Sequence, residues 1–453
     1  MQIKVFGCKV NKYYTDKWIN SDYLRDKSGV FIASCVVTDN AKRKWIKFVK
    51  DTSKEISQGE KMYISGCGAF KDGRAQEDFF ELYPELENYK GQIEVLGEDP
   101  QEHTTQNSSS NPPPNLPPIK GEEHEKKIDP SKLSSLTSKL KGSSMYTKKF
   151  VLIQGGCDSF CTFCLTVIKR GRHFYRSKEE IAAEIQEFVN RGGKEAVLTG
   201  VNLSAWGLKN TYDPKNFSPE ITTKDIQGEG SRFAELLQYL LDNTTIGRLR
   251  ISSLGPEFID EKCLEIFKNA RIYPHFHFSA QSGSSAVLAG MKRHYNGEYI
   301  RDIMLRTKNL VREDGVDISL GADIILGFPG ETQENFMETY NFIKKVGIQK
   351  LHAFPFSPHE MGESVPAGKF SDQVSDKDKK DRMQRITELG DQMRADFIAS
   401  QKGKTLQVLI EQVEGDSFKG WTQNYIEATE KNFQVISGSV KKNEVITGRL
   451  HNR

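Results

Sequence analysis

Three cysteines spaced C-x3-C-x2-C share one short loop, Gly156-Cys157-Asp158-Ser159-Phe160-Cys161-Thr162-Phe163-Cys164, directly after the apolar run Phe150-Val151-Leu152-Ile153. Soft thiolates select iron–sulfur clusters or zinc. A structural zinc site is closed by four ligands, often as paired C-x2-C units, and no second such pair occurs in the chain. Three thiolates can instead hold three irons of a cubane cluster and leave its fourth iron open. Unrelated core cysteines do not crowd into one Gly-bounded loop. Three more cysteines each follow a short apolar run, in Gly7-Cys8-Lys9-Val10-Asn11, Ser34-Cys35-Val36-Val37-Thr38 and Ser65-Gly66-Cys67-Gly68. Spacing alone leaves two readings for them, convergence on one site or separate packing beneath helices.

The elements that must position these thiols follow from periodicity. Residues 1–98 alternate apolar strands (Ile3–Phe6, Val30–Ala33, Lys61–Ile64) with amphipathic stretches, the pattern of a parallel α/β sheet. Ligands of such sheets bind beyond the carboxyl ends of the strands, where Cys8, Cys35 and Cys67 stand. In the domain expected over residues 147–400, the stretch from 147 to about 370 repeats about six strand–helix units, with strands expected at Val151–Gln154, Ala196–Thr199, Arg248–Ser252, His275–Phe278, Asp317–Leu326 and Leu351–Phe354. This predicts a partial TIM-like (β/α)6 barrel with its site at the strand carboxyl ends. An amphipathic helix over residues 376–400, with Met383, Ile386, Leu389, Met393 and Phe397 on one face, closes that domain. Period-two runs in residues 401–453 indicate a small β-barrel. Between the first two domains, residues 99–146 are rich in Gln, Ser, Asn, Pro and mixed charge, a linker composition. The fold class is therefore α/β with a β-barrel appended.

The 157–164 loop resembles the radical S-adenosylmethionine (SAM) signature, and its surroundings resemble the methylthiotransferase family. The resemblance implies that Cys157, Cys161 and Cys164 ligate a [4Fe–4S] cluster whose open iron chelates SAM, with Phe163 near the SAM adenine. It implies that Cys8, Cys35 and Cys67 hold a second [4Fe–4S] cluster carrying the sulfur to be inserted, with Asn11 the motif asparagine. Gln281 and Ser282, with Asn202 and Asp323, are then SAM-pocket residues. This chain reads Ser253-Leu254-Gly255-Pro256-Glu257 where relatives have Ser-Leu-Glu-Pro, so either Glu257 stands in for that glutamate or its contact is lost. The C-terminal barrel resembles the OB-like TRAM module of RNA-modifying enzymes, which puts Trp421 and Tyr425 forward either as base-stacking residues or as residues that fill the barrel core. Lys169, Arg170, Arg172 and Arg176 form a basic run that reads either as a solvated face or as a phosphate anchor, and the resemblance favours RNA. Gly-Cys-Lys-Val-Asn and His352-Ala353-Phe354-Pro355-Phe356-Ser357 resemble the branch that methylthiolates C2 of N6-threonylcarbamoyladenosine beside the tRNA anticodon. Isopentenyladenosine tRNA and a ribosomal-protein aspartate are the alternative substrates, and a non-catalytic RNA-binding Fe–S protein is the alternative outside enzymology.

Composition sets the remaining expectations. Hydrophobic residues at 37%, charged residues at 28% and a formal net charge of +3 suit a soluble chain that permits nucleic-acid binding without demanding it. The opening Met1-Gln2-Ile3-Lys4-Val5-Phe6 reads as a strand, with no signal peptide or transmembrane run in view. Seven cysteines in such a chain argue for metal ligation in the cytoplasm. A flavodoxin-like or ferredoxin-like electron donor is the expected partner besides the tRNA anticodon loop, and the protein is expected to be a monomer without membrane contact. His275 and His277 are expected to be satisfied core or rim histidines, Cys263 a packed thiol, and Thr332 a helix cap after Gly327-Phe328-Pro329-Gly330-Glu331.

Overall fold

The computed structural model describes residues 1–101, 146–208 and 232–451. The expected linker falls almost wholly on 102–145, outside the described residues. The N-terminal unit is a four-stranded parallel sheet in chain order, β1 (Gln2–Val5), β2 (Gly29–Ser34), β3 (Lys61–Gly66) and β4 (Ile93–Val95). Apolar residues cover both faces, Trp45, Ile64 and Tyr83 on one and Trp18, Phe31 and Tyr63 on the other. Burial on both faces is why these strands read as continuous apolar runs. Helix α1 (Lys9–Ile19) starts on Cys8, and α2 (Asp39–Thr52) is capped by Thr38, which accepts from the Ala41 N–H.

The central domain has six parallel strands in chain order, β5 (Lys149–Leu152), β6 (Glu195–Thr199), β7 (Arg248–Ile251), β8 (His275–Gln281), β9 (Ser319–Leu326) and β10 (Lys350–Pro355). At Ser252 the third strand changes partner: Arg248–Ile251 pairs with β6, and Ser253–Leu254 pairs with β8. Among the described residues, β5 and β10 each have one strand neighbour, so the barrel is open as expected. Alternation divides the strands. Val151, Leu198, Phe276, Leu320 and Ile324 pack outward with helices α4 (Lys178–Asn190), α5 (Arg232–Asn243), α6 (Gly297–Lys308) and α7 (Gln333–Val346). Phe150, Leu152 and Val197 face inward, and there they meet Val10, Tyr13 and Tyr14 of α1. The N-terminal unit thus inserts a helix against the inner face of the first strands, which closes more of the barrel than a cap over its mouth would.

Helix α8 (Asp376–Ser400) buries Ile386 and Leu389 against the barrel and turns Phe397 to the next domain. That domain is a five-stranded antiparallel sheet around Leu406, Val408, Ile410, Phe418, Ile446 and Leu450. Its Trp421–Gln423 stretch seals the amino-terminal end of the barrel. Arg250 donates to the carbonyls of Gln423 and Thr422 at 2.9 and 2.7 Å, while Arg248 and Arg250 both pair with buried Glu195. No helix of the described residues is long and apolar enough to cross a membrane.

Candidate functional site

The loop after β5 brings Cys157, Cys161 and Cys164 together. Burial and then the neighbouring Cys161 push the Cys157 thiol up to about 12, and burial raises Cys164 as well. Several donors nonetheless point at the sulfurs. The Ser159 N–H lies 3.4 Å from Cys157 Sγ, the Thr166 N–H 3.4 Å from Cys164 Sγ, and Arg293 Nη1 3.2 Å from Cys161 Sγ. Thiols kept protonated by burial but surrounded by donors become charged when metal replaces the proton.

The second set also converges. A side chain added at Gly7 would lie 3.1 Å from Cys35 Sγ. Asn11 Nδ2 donates to the carbonyls of Phe6 and Ser34 at 2.9 and 2.8 Å, which ties together the backbone leading into Cys8 and Cys35. Burial, then Cys67, pushes Cys35 up to about 12. Among the described residues, three thiols in each set, with no fourth cysteine beside them, match the ligand count of a cubane cluster with one open iron.

One short helix joins the two triads. Helix α3 (Thr166–Arg170) begins two residues after Cys164 and ends on Arg170. Arg170 is buried, donates to Cys67 Sγ at 3.2 Å and to Asn11 Oδ1 at 2.8 Å, and is ion-paired with Glu98. Lys169 is fully buried on Gln76 and Glu363. This corrects the reading of the basic run as an RNA-facing rim. Arg176 is likewise committed, to Glu184 at 2.7 Å and to the Leu152 carbonyl at 2.9 Å. Arg172 alone of the three arginines stays exposed, 3.3 Å from Asp158.

The two candidate aromatics lie at a domain contact. Tyr425 stacks on His275 at 4.5 Å between ring centroids, and Trp421 stacks on Tyr425 at 4.6 Å, so both rings are engaged in docking the C-terminal domain. Cys263 is a packed core thiol, as expected, and Thr332 forms a capping box with Asn335.

Around the first triad, Phe163 packs with Leu165, Met291 and Phe328. Gln281 holds a left-handed backbone (φ +65°) at the end of β8, a conformation that concentrates at functional sites. Ser282 is fully buried and its hydroxyl is engaged with Thr339 at 2.9 Å and accepts from the Ser284 N–H, so that hydroxyl builds the loop. Asn202 Oδ1 and Glu257 Oε2 lie 2.7 and 3.0 Å from where a Cβ on Gly255 would stand. The Glu257 carboxylate thus occupies the space beside position 255, as the shifted motif requires. Both its oxygens are buried without a hydrogen bond, and Arg293 Nη2 lies 3.7 Å away. Such a buried acid and base, beside an open-site triad, can receive the amino and carboxylate groups of an amino acid. Arg293 escaped the sequence reading because Lys292-Arg293-His294 looks like surface charge.

Asp323 does not reach this group. It sits on the inner face of β9 with His277 and His352.

Residues 151–343 match the Radical SAM superfamily. The chain is 30% identical over 429 residues to the threonylcarbamoyladenosine tRNA methylthiotransferase MtaB of Thermotoga maritima, covering 91% of this chain and 86% of that one. It is 32% identical over 306 residues to the MtaB of Bacillus subtilis, spanning 62% of that relative's length. It is also 34% identical over 265 residues to a tRNA-2-methylthio-N(6)-dimethylallyladenosine synthase of Clostridium botulinum, covering 54% of it. With two cysteine triads joined by one helix and coverage of most of a full-length relative, the chain belongs to the radical SAM methylthiotransferase family.

Proposed function

We propose that this protein is a radical SAM tRNA methylthiotransferase that converts N6-threonylcarbamoyladenosine beside the anticodon to its 2-methylthio derivative. The observation that carries the reading is the juxtaposition of the two triads through α3, with Arg170 against Cys67 at one end and Cys164 just before the other. Cys157, Cys161 and Cys164 would hold a [4Fe–4S] cluster that with one SAM would supply a carbon-centred radical able to abstract the C2 hydrogen, a second SAM would supply the methyl group, and a second cluster on Cys8, Cys35 and Cys67 would supply the sulfur.

The chain's own residues supply the rest. Arg293 and Glu257 hold the charged end of SAM, and Gln281, at the carboxyl end of β8, borders the same space. Helix α1 packs on the inner face of the first strands and the Trp421–Tyr425 stack lies at the amino-terminal end of the barrel, which narrows the space around the reacting carbon that the radical chemistry needs dry. An anticodon loop allows its base to be splayed into such a pocket. The electron that starts the reaction comes from a flavodoxin-like or ferredoxin-like donor in the cytoplasm.

The test is anaerobic turnover of reconstituted protein with SAM, a strong reductant and tRNA bearing threonylcarbamoyladenosine, read by nucleoside mass spectrometry. A methylthio product is expected. SAM cleavage without that product would redirect the assignment to dimethylallyladenosine tRNA, the substrate in the name of the Clostridium relative. No SAM cleavage with both triads loaded with iron would refute the enzymatic reading.

A further inference from the structure

The inner face of the barrel carries a group of side chains that neither triad uses. His277 Nε2 lies 2.9 Å and His352 Nδ1 3.4 Å from the same oxygen of Asp323. Strand alternation puts all three on the lumen side of β8, β9 and β10, and Asp323 and His352 are direct register partners. Burial holds His277 below its usual range against the pull of Asp323, so the ring is neutral near pH 7 and its N–H donates to the carboxylate.

Lys9, the first residue of α1, enters the same space. Its ammonium is within electrostatic reach of Asp323, Arg250 and Lys148. The cations around it are engaged: Arg250 is bonded to Glu195 and two carbonyls, Lys148 pairs with Glu411 at 2.7 Å, and Lys12, the third, lies over the rings of Tyr146 and Phe150. Lys9 makes no hydrogen bond or ion pair among the described residues. A half-buried ammonium without a partner is costly and calls for an anion.

The chemistry of the substrate says which anion. In adenine, C2 and C6 flank N1 on one edge. When C2 faces sulfur held beside Cys8, the substituent on N6 falls next to the residues adjoining Cys8, and Lys9 is the first of these. A threonylcarbamoyl group carries a carboxylate, a hydroxyl and urea N–H groups, whereas a dimethylallyl group carries no polar atom. Resting on the methylthiotransferase reading above, we propose that Lys9 and the Asp323–His277–His352 group form the subsite that selects the threonylcarbamoyl substituent. Lys9 receives its carboxylate, Asp323 accepts from its hydroxyl or urea N–H, and the two histidines hold Asp323 in place. A dimethylallyl group would leave Lys9 desolvated and unpaired, and sites built for polar groups reject analogues that lack them.

The experiment uses anticodon stem-loops carrying threonylcarbamoyladenosine, its methyl ester, or dimethylallyladenosine, with wild type, Lys9→Gln and Lys9→Arg. Iron content per chain is measured for each protein, because Lys9 adjoins a cluster cysteine. Wild type should use the free acid about 100-fold better than the ester, a ratio typical of a buried charge left unpaired. Lys9→Gln should bring that ratio to within about threefold, and Lys9→Arg should restore most of it. Equal use of acid and ester by wild type overturns the subsite without any variant, as does an acid-to-ester ratio that Lys9→Gln leaves intact. A wild type that methylthiolates dimethylallyladenosine and ignores both threonylcarbamoyl forms refutes the substrate reading itself, a separate outcome.

Discussion

Replacement of Arg170 tests whether α3 couples the two metal-binding units. Arg170→Met removes a buried guanidinium from Glu98, Asn11 and Cys67 at once. Glu98 is 8% exposed and would become an uncompensated buried carboxylate, which costs about 3–5 kcal/mol. The orphaned Asn11 oxygen adds about 1–3 kcal/mol. By contrast Arg172→Met, at a half-exposed guanidinium facing Asp158, should cost less than about 1 kcal/mol. Denaturant unfolding followed by tryptophan fluorescence reads the difference. Trp18 is a direct reporter, since its indole N–H donates to the Glu98 carbonyl at 3.1 Å. Adding Glu98→Gln to Arg170→Met removes the stranded charge and should recover about half of the loss or more. If Arg170→Met stayed within about 1 kcal/mol of wild type, or Glu98→Gln rescued nothing, the coupling role assigned to this residue would be wrong.

The other expectations concern chemistry, SAM and pH. Alanine at Cys157, Cys161 or Cys164 should abolish SAM cleavage, whereas alanine at Cys8, Cys35 or Cys67 should spare cleavage and stop sulfur insertion; loss of cleavage in folded protein of the second set would contradict the division of labour. Arg293→Met should weaken SAM binding about 10–100-fold, the worth of a charge-assisted hydrogen bond, and equilibrium dialysis checks it. His359 is buried, and burial followed by nearby Lys42 lowers it from 6.5 to about 4. Between those values the unfolded chain binds a proton that the folded chain does not, so stability falls as pH drops from 6.5 to 4, by up to about 3 kcal/mol. His359→Asn, which tolerates the left-handed φ of +59° at this position, should flatten that part of the stability curve, and an unchanged slope would exclude His359 as its source.

What could be read from the chain alone was local. Ligand spacing within a loop and the periods of strands and helices depend on neighbours a few residues apart, and these gave the first triad and the order of the three architectures, whereas spacing left Cys8, Cys35 and Cys67 open and the family resemblance joined them. Side-chain direction was not local. The run Lys169-Arg170-Gly171-Arg172 reads as one charged face, but α3 turns Lys169 and Arg170 into the seam with the N-terminal unit. Gly171, at φ +67°, then ends the helix so that Arg172 emerges to solvent. Trp421 and Tyr425 look the same in sequence whether they await a base or dock on His275, because the choice is made by a domain contact.

The His277–Asp323–His352 group was hidden for a related reason, since three strands must be in register before its members meet. One residue did carry a signal. Gly321 is the register partner of His277, and a Cβ there would come within 2.3 Å of the imidazole Nδ1. Any side chain at 321 would therefore push His277 off Asp323. A glycine in the interior of a strand weakens it unless something must approach closely, and here that something is the imidazole that orients Asp323. Gly321→Ala should accordingly act on the same acid-to-ester ratio as Lys9→Gln while leaving iron content unchanged. Loss of iron with an unchanged ratio would show that Gly321 serves only the packing of the barrel.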